Sequence, residues 1–247
     1  MSQLRVLDLF SGIGGFSLGL ERTGGFTTVA FCEIEDYPRR VLEKHWPGVP
    51  IYHDVRDLTG ARLAADGIAV DVICGGFPCQ DVSSSGSRTG LAGKKSGLWR
   101  EYARLVRELG PRFIIVENVA DLLHRGIGDV LGELVEAGYD AEWSCVPASC
   151  AGLPQTRDRV WIVAYPRCGR RKTGVERQQV EPPRIRWPDD DGLGSAQSAA
   201  KACANRTWRV DDGVSRWVDR TRALGNAVVP QIPELIGNAI LQSMRPQ

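Results

Sequence analysis

The chain has 247 residues, with 31 Lys and Arg against 30 Asp and Glu, for a formal net charge of +1. Hydrophobic residues at 43% and charged residues at 25% are ordinary globular values, so neither disorder nor a disulfide-stapled miniprotein is needed. No apolar run approaches the roughly 18 residues of a membrane span, and the first residues turn acidic too soon for a signal peptide.

Residues 4–10 (LRVLDLF) read as a short buried strand. Gly12, Gly14 and Gly15 follow, then a helix to about Leu20. Residues 26–32 (FTTVAFC) form a second strand and Asp36 to Trp46 a second helix, with a short strand near Ile51. Val70 to Cys74 is another buried strand and runs into Gly75-Gly76-Phe77-Pro78-Cys79. A Ser- and Gly-rich loop extends to about Ser96, followed by a helix from Leu98 to Leu109. Arg112 to Val116 is a strand closed by Glu117-Asn118. A helix is expected around Gly128–Ala137, and strands near 139–146 and 159–164. Strands alternating with helices predict an α/β fold with a doubly wound, mostly parallel sheet.

The texture changes after Tyr165, where periodicity weakens and Pro-Pro and Asp-Asp-Asp appear. The expected organisation is a main domain over 1–164, a small loop-rich insertion over 165–213, and a segment 214–247 returning to the main domain. Pro230 to Met244 reads as an amphipathic helix with Pro near its first turn. Charge follows the same division. Residues 1–164 carry 17 basic and 21 acidic side chains, net −4, whereas 165–247 carry 14 and 9, net +5. A polyanion partner is therefore expected at the last third.

Ligands of open α/β sheets bind at the carboxyl ends of strands, so the glycine turn after the first strand faces a ligand crevice. It is not the dinucleotide fingerprint, because Ser17 occupies the place of the third glycine. A tight turn without a ligand is the plainer alternative. Glu33, past the second strand, can accept hydrogen bonds from ribose hydroxyls. Asp54, past the third, can meet an adenine amino group. Cys79 lies in a loop facing the same crevice, either as a nucleophilic thiolate or as a buried structural thiol. Glu117, at the next strand end, is a carboxyl placed to hold or donate a proton, or else a helix cap or ion-pair partner. The seven cysteines are odd in number and irregular in spacing, with no C-x-x-C pair, so no metal is expected.

Five motifs in order carry a resemblance: Asp8-Leu-Phe-Ser-Gly-Ile-Gly-Gly, Gly75-Gly-Phe-Pro-Cys-Gln-Asp-Val-Ser, Glu117-Asn-Val, Gln155-Thr-Arg-Asp-Arg-Val and Leu224-Gly-Asn-Ala-Val-Val-Pro. The sequence resembles the cytosine-5 DNA methyltransferases of bacterial and phage type, with motifs bracketing nearly the whole chain. The resemblance implies a Rossmann-like fold and S-adenosyl-L-methionine as methyl donor, with S-adenosyl-L-homocysteine as product. Phe10, Gly12 and Gly14 would line the donor, Glu33 would take the ribose, Ile34 would pack on adenine, and Asp54 with Val55 would meet the adenine edge. Leu98, Asn226 and Val228 would complete the pocket. Relatives often carry Ser after that Asn; here it is Ala227.

The resemblance further implies that Cys79 attacks carbon 6 of a flipped-out cytosine while Glu117 holds its ring nitrogen and amino group. Arg159, with Arg157, would hold the base carbonyl and the catalytic loop. Residues 81–97, with Arg88, Lys94 and Lys95, resemble the loop that closes over the base. The insertion would contact DNA, and 165–188 alone hold seven basic residues against two acidic ones. A cytoplasmic monomer acting on double-stranded DNA, away from membranes, is expected. Three other readings stand beside this one: an RNA methyltransferase of the same fold, a non-catalytic DNA-binding relative, and a nicotinamide-dependent thiol enzyme. The set Cys79, Glu117, Arg157 and Arg159 speaks against the second, and Ser17 against the third.

Overall fold

A computed structural model describes residues 2–78, 97–147, 158–167 and 227–244. The strands are β1 (Leu4–Leu9), β2 (Phe26–Cys32), β3 (Ile51–Tyr52), β4 (Val72–Gly75), β5 (Phe113–Val119), β6 (Tyr139–Pro147) and β7 (Asp158–Pro166). The helices are α1 (Gly15–Arg22), α2 (Asp36–His45), α3 (Gly60–Ala65), α4 (Leu98–Leu109), α5 (Leu122–Arg125), α6 (Ile127–Glu136) and, last in the chain, α7 (Gln231–Ser243).

The seven strands form one sheet in the order β3-β2-β1-β4-β5-β7-β6. The first five run parallel, and β7 is antiparallel to both β5 and β6. Order reverses between β1 and β4, which is where an open α/β sheet forms its crevice. Strand alternation sends side chains to two faces. On one face Leu7, Leu9, Ile73 and Ile114 pack with Trp99, Tyr102 and Val106 of α4. On the other, Leu4, Val6, Cys74 and Ile115 pack with Phe16 and Leu20 of α1 and Ile232, Ile236 and Ile240 of α7. α7 thus packs beside α1 on this face.

The expected doubly wound sheet is present, with three local differences. β5 does not close at Val116 but continues to Val119, because β7 pairs with it as far as Val119 opposite Arg159. Glu117 therefore sits within a paired strand, opposite Trp161. Helices α3 and α5 have six and four residues, too short to show periodicity. Finally, β7 extends to Pro166, two residues past the expected boundary at 164. Residues 168–226, including nearly all of the insertion, lie outside the described residues.

Candidate active site

The glycine turn between β1 and α1 is held in a conformation that few residues adopt. Phe10, Gly12 and Gly14 all have positive φ, at 53°, 53° and 85°. Phe10 is the one non-glycine with positive φ among the described residues, a left-handed state costing about 1–2 kcal/mol. Gly14 is fixed for a second reason: a Cβ there would lie 2.6 Å from the Trp46 ring. Trp46 is itself anchored by its indole N–H, which donates to Glu21 Oε2 at 2.9 Å. Gly12 differs, since a Cβ there would meet nothing within 4 Å and would enter open space.

Glu33 closes this turn. Its Oε2 accepts from the Gly12 backbone N–H at 2.7 Å and its Oε1 from the Glu35 N–H at 2.8 Å. The side chain is buried, 7% exposed, yet a carboxylate pair has further lone pairs for ribose hydroxyls. The bare Gly12 edge and this fixed carboxylate fit a nucleoside-bearing donor. Ile34, next in sequence, is 51% exposed. Asp54 is tied to Arg56, whose backbone N–H and Nε both donate to Oδ1 at 2.9 Å. The Arg56 side-chain bond, the largest influence and stronger than the opposing burial, holds the Asp54 carboxyl below its ordinary range. Val55 is buried in the core beside Leu58, and Leu98 is half-buried at the start of α4.

Three strand positions away, β5 and β7 bring together a second group. Arg159 Nε lies 2.9 Å from Glu117 Oε1. Glu117 is 8% exposed, so the guanidinium balances a carboxylate largely withdrawn from water. Gly76, just past β4, leaves room for the Glu117 carboxylate, since a Cβ would come within 2.7 Å of Glu117 Oε2. Asn118 then latches the turn leading to Cys79: its Nδ2 donates to the Phe77 carbonyl at 3.0 Å. A small, shallow cleft opens beside the pair, lined by Glu117, Arg159, Val146, Trp161, Ala227 and Val228. The residue pair Glu-Asn was visible in sequence, but the latch formed by Asn118 was not.

Val228 links the two groups to the C-terminal segment. A Cβ on Gly15 would fall 2.5 Å from the Val228 carbonyl oxygen, so this stretch lies directly over the start of α1. Among the expected site residues, Cys79, Arg157 and Asn226 lie outside the described residues, as do Arg88, Lys94 and Lys95. No group of three or more His, Cys, Asp or Glu side chains suited to a metal is found among the described residues. No helix among them is long and apolar enough to cross a membrane.

Comparison with known proteins agrees with this arrangement. The type II methyltransferase M2.BsuMI of Bacillus subtilis is 37% identical over 169 residues, covering 65% of this chain and 42% of that protein. A solved structure of an E. coli prophage-encoded chain, described as a DNA modification methyltransferase, is 30% identical with a TM-score of 0.57, covering 66% of this chain and 47% of that one. The Entamoeba histolytica methyltransferase EhMeth shares the fold over the full length of both chains, with a TM-score of 0.67 at 14% identity. The chain spans about two fifths of the length of the curated relatives it matches. The family model of C-5 cytosine-specific DNA methylases matches residues 4–190, most of the chain, and the protein belongs to that family.

Proposed function

We propose that this protein transfers a methyl group from S-adenosylmethionine to carbon 5 of a cytosine in double-stranded DNA. The observation that carries the reading is the Glu117–Arg159 pair at the sheet's ligand edge, next to the strand that leads into Pro78 and Cys79. When bound, the donor supplies an electrophilic methyl group. Glu33, Gly12, Phe10 and Gly14 would hold it, with Ile34, Asp54, Val55, Leu98, Asn226 and Val228 around it.

Carbon 5 of cytosine is a weak nucleophile. The Cys79 thiolate adds to carbon 6, and the electron pair of the 5,6 double bond is pushed onto carbon 5 and towards ring nitrogen 3. Glu117, entering the step as the protonated carboxyl, donates to that nitrogen while its other oxygen accepts from the exocyclic amine, stabilising the charge that builds there. Arg159 holds Glu117 in place and, with Arg157, would hold the base carbonyl. Carbon 5 takes the methyl group as its bond to the donor sulfur breaks and S-adenosylhomocysteine is left; a base then removes the carbon 5 proton, and the returning electron pair expels the Cys79 thiolate. The base must first leave the duplex stack, at a cost of a few kcal/mol. The net +5 of residues 165–247 supports DNA phosphates as the partner of the last third.

Incubation with S-adenosylmethionine carrying a tritiated methyl group tests the substrate. Label should pass to duplex DNA and not to transfer RNA. Label on transfer RNA alone would favour an RNA methyltransferase of the same fold.

A further inference from the structure

Beneath the glycine turn lies a polar contact that the proposed chemistry does not use. Asp8, near the end of β1, is 0% exposed, as is Ser17 on α1. Ser17 Oγ donates to Asp8 Oδ2 at 2.8 Å. Asp8 Oδ1 has no hydrogen-bond partner among the described residues. Ser17 is the residue that stands where a dinucleotide fold would carry its third glycine. There the glycine lets helix and strand approach closely; here a side-chain hydrogen bond draws α1 onto β1. The residues between the two partners include the whole donor-binding turn, from Phe10 to Gly15.

We infer that Asp8 is a positioning residue for the methyl donor: bonded to Ser17 as a protonated carboxyl, it sets the spacing of the turn that carries Phe10, Gly12 and Gly14. This rests on the donor reading above. An ionised carboxylate with one bare oxygen in a dry interior is strongly disfavoured. Burial, the largest influence, pushes the Asp8 carboxyl up to about 8; the Ser17 bonds and a weak one from the Cys74 thiol oppose this, and the Glu33 charge adds to it. The groups facing Asp8 are few. Cys74 is its register partner on β4, Glu33 follows β2, and Tyr102 of α4, whose hydroxyl donates to the Ile73 and Ile115 carbonyls, feels its charge. From α1 comes only Ser17, and α7 offers apolar Ile232 and Ile236 to the same layer. The folded chain keeps the proton up to about pH 8, whereas the unfolded chain loses it near 3.8. The group's contribution is therefore full below that lower value and is lost as pH rises through about 8.

The test compares wild type, Asp8→Asn and Ser17→Ala for binding of S-adenosylhomocysteine by calorimetry, and for Tm without ligand, from about pH 6 to about pH 10 around the Asp8 midpoint. Wild-type Tm should fall from about pH 6 to about pH 8 and level off above it, whereas wild-type affinity should weaken above about pH 8. Asp8→Asn keeps the acceptor for Ser17 but cannot ionise, so its affinity should stay flat and its Tm should exceed that of wild type at the alkaline end. Ser17→Ala should weaken binding about fivefold, the effect of one hydrogen bond, with kcat at saturating donor unchanged. Asp8→Asn profiles of affinity and Tm that run parallel to those of wild type over the whole range from about pH 6 to about pH 10 would overturn the inference. A Ser17→Ala protein with lowered Tm but unchanged affinity would do the same, leaving a purely structural bond. Wild type failing to bind the homocysteine product at any pH would overturn the donor reading along with it.

Discussion

Arg159 Nε meets Glu117 Oε1 at 2.9 Å across a strand pair in which Glu117 stands opposite Trp161 and Val119 opposite Arg159. The contact is diagonal, two residues along one strand, which long side chains span readily. It places a carboxylate and a guanidinium from two motifs, 42 residues apart in sequence, at one lip of the crevice.

Replacing Glu117 by Gln keeps the shape but removes the charge. Methyl transfer should fall about a hundredfold or more, as for loss of a principal transition-state hydrogen bond. Arg159→Ala removes the cation that balances a carboxylate only 8% exposed. It should lower stability by about 1–3 kcal/mol, read by urea denaturation, and should reduce kcat as well. Unchanged activity in Glu117→Gln would remove Glu117 from the mechanism.

Gly76→Ala separates catalysis from folding. The added methyl would fall 2.7 Å from Glu117 Oε2. The carboxylate is the end of a side chain and can swing aside, so Tm should change little while kcat drops. A large fall in Tm with kcat preserved in the folded fraction would contradict this.

Glu33→Gln addresses the donor. Its carboxylate accepts from two backbone N–H groups, of Gly12 and Glu35. An amide presents one acceptor and one donor, so one of those N–H groups would face an N–H. Affinity for S-adenosylhomocysteine should weaken about tenfold, the scale of a hydrogen bond to a charged group. Calorimetry reads this directly, and equal affinity would exclude Glu33 from the donor site.

The C-terminal segment is coupled to α1 through backbone. Cβ atoms on Gly15 and Gly19 would lie 2.5 Å and 2.1 Å from the carbonyl oxygens of Val228 and Pro230. Backbone cannot step aside as a side chain can, so Gly15→Ala and Gly19→Ala should each cost about 1–3 kcal/mol. Gly128→Ala meets nothing within 4 Å and serves as the neutral control.

Much of the core was legible from periodicity, because buried parallel strands read as apolar runs. The residues 26–32 and Leu98–Leu109 were bounded as β2 and α4 are found. Glu33 and Glu117 were legible as carboxylates just past or near strand ends. The extension of β5 through Glu117 was hidden, since it depends on β7 running back beside it. Asp8 looked like part of a turn motif, and only burial and the Ser17 bond reveal its isolation. Asn118 and Gly76 owe their roles to contacts across 41 residues and to one close approach, neither of which has a local signature.

The most direct measurement is bisulfite sequencing of DNA from a host without cytosine methylation that expresses this chain, beside one expressing Cys79→Ser. The account predicts new 5-methylcytosine at a recurring sequence with the wild type and none with the variant. Unmethylated DNA from a folded wild-type protein, or equal methylation by Cys79→Ser, would contradict it.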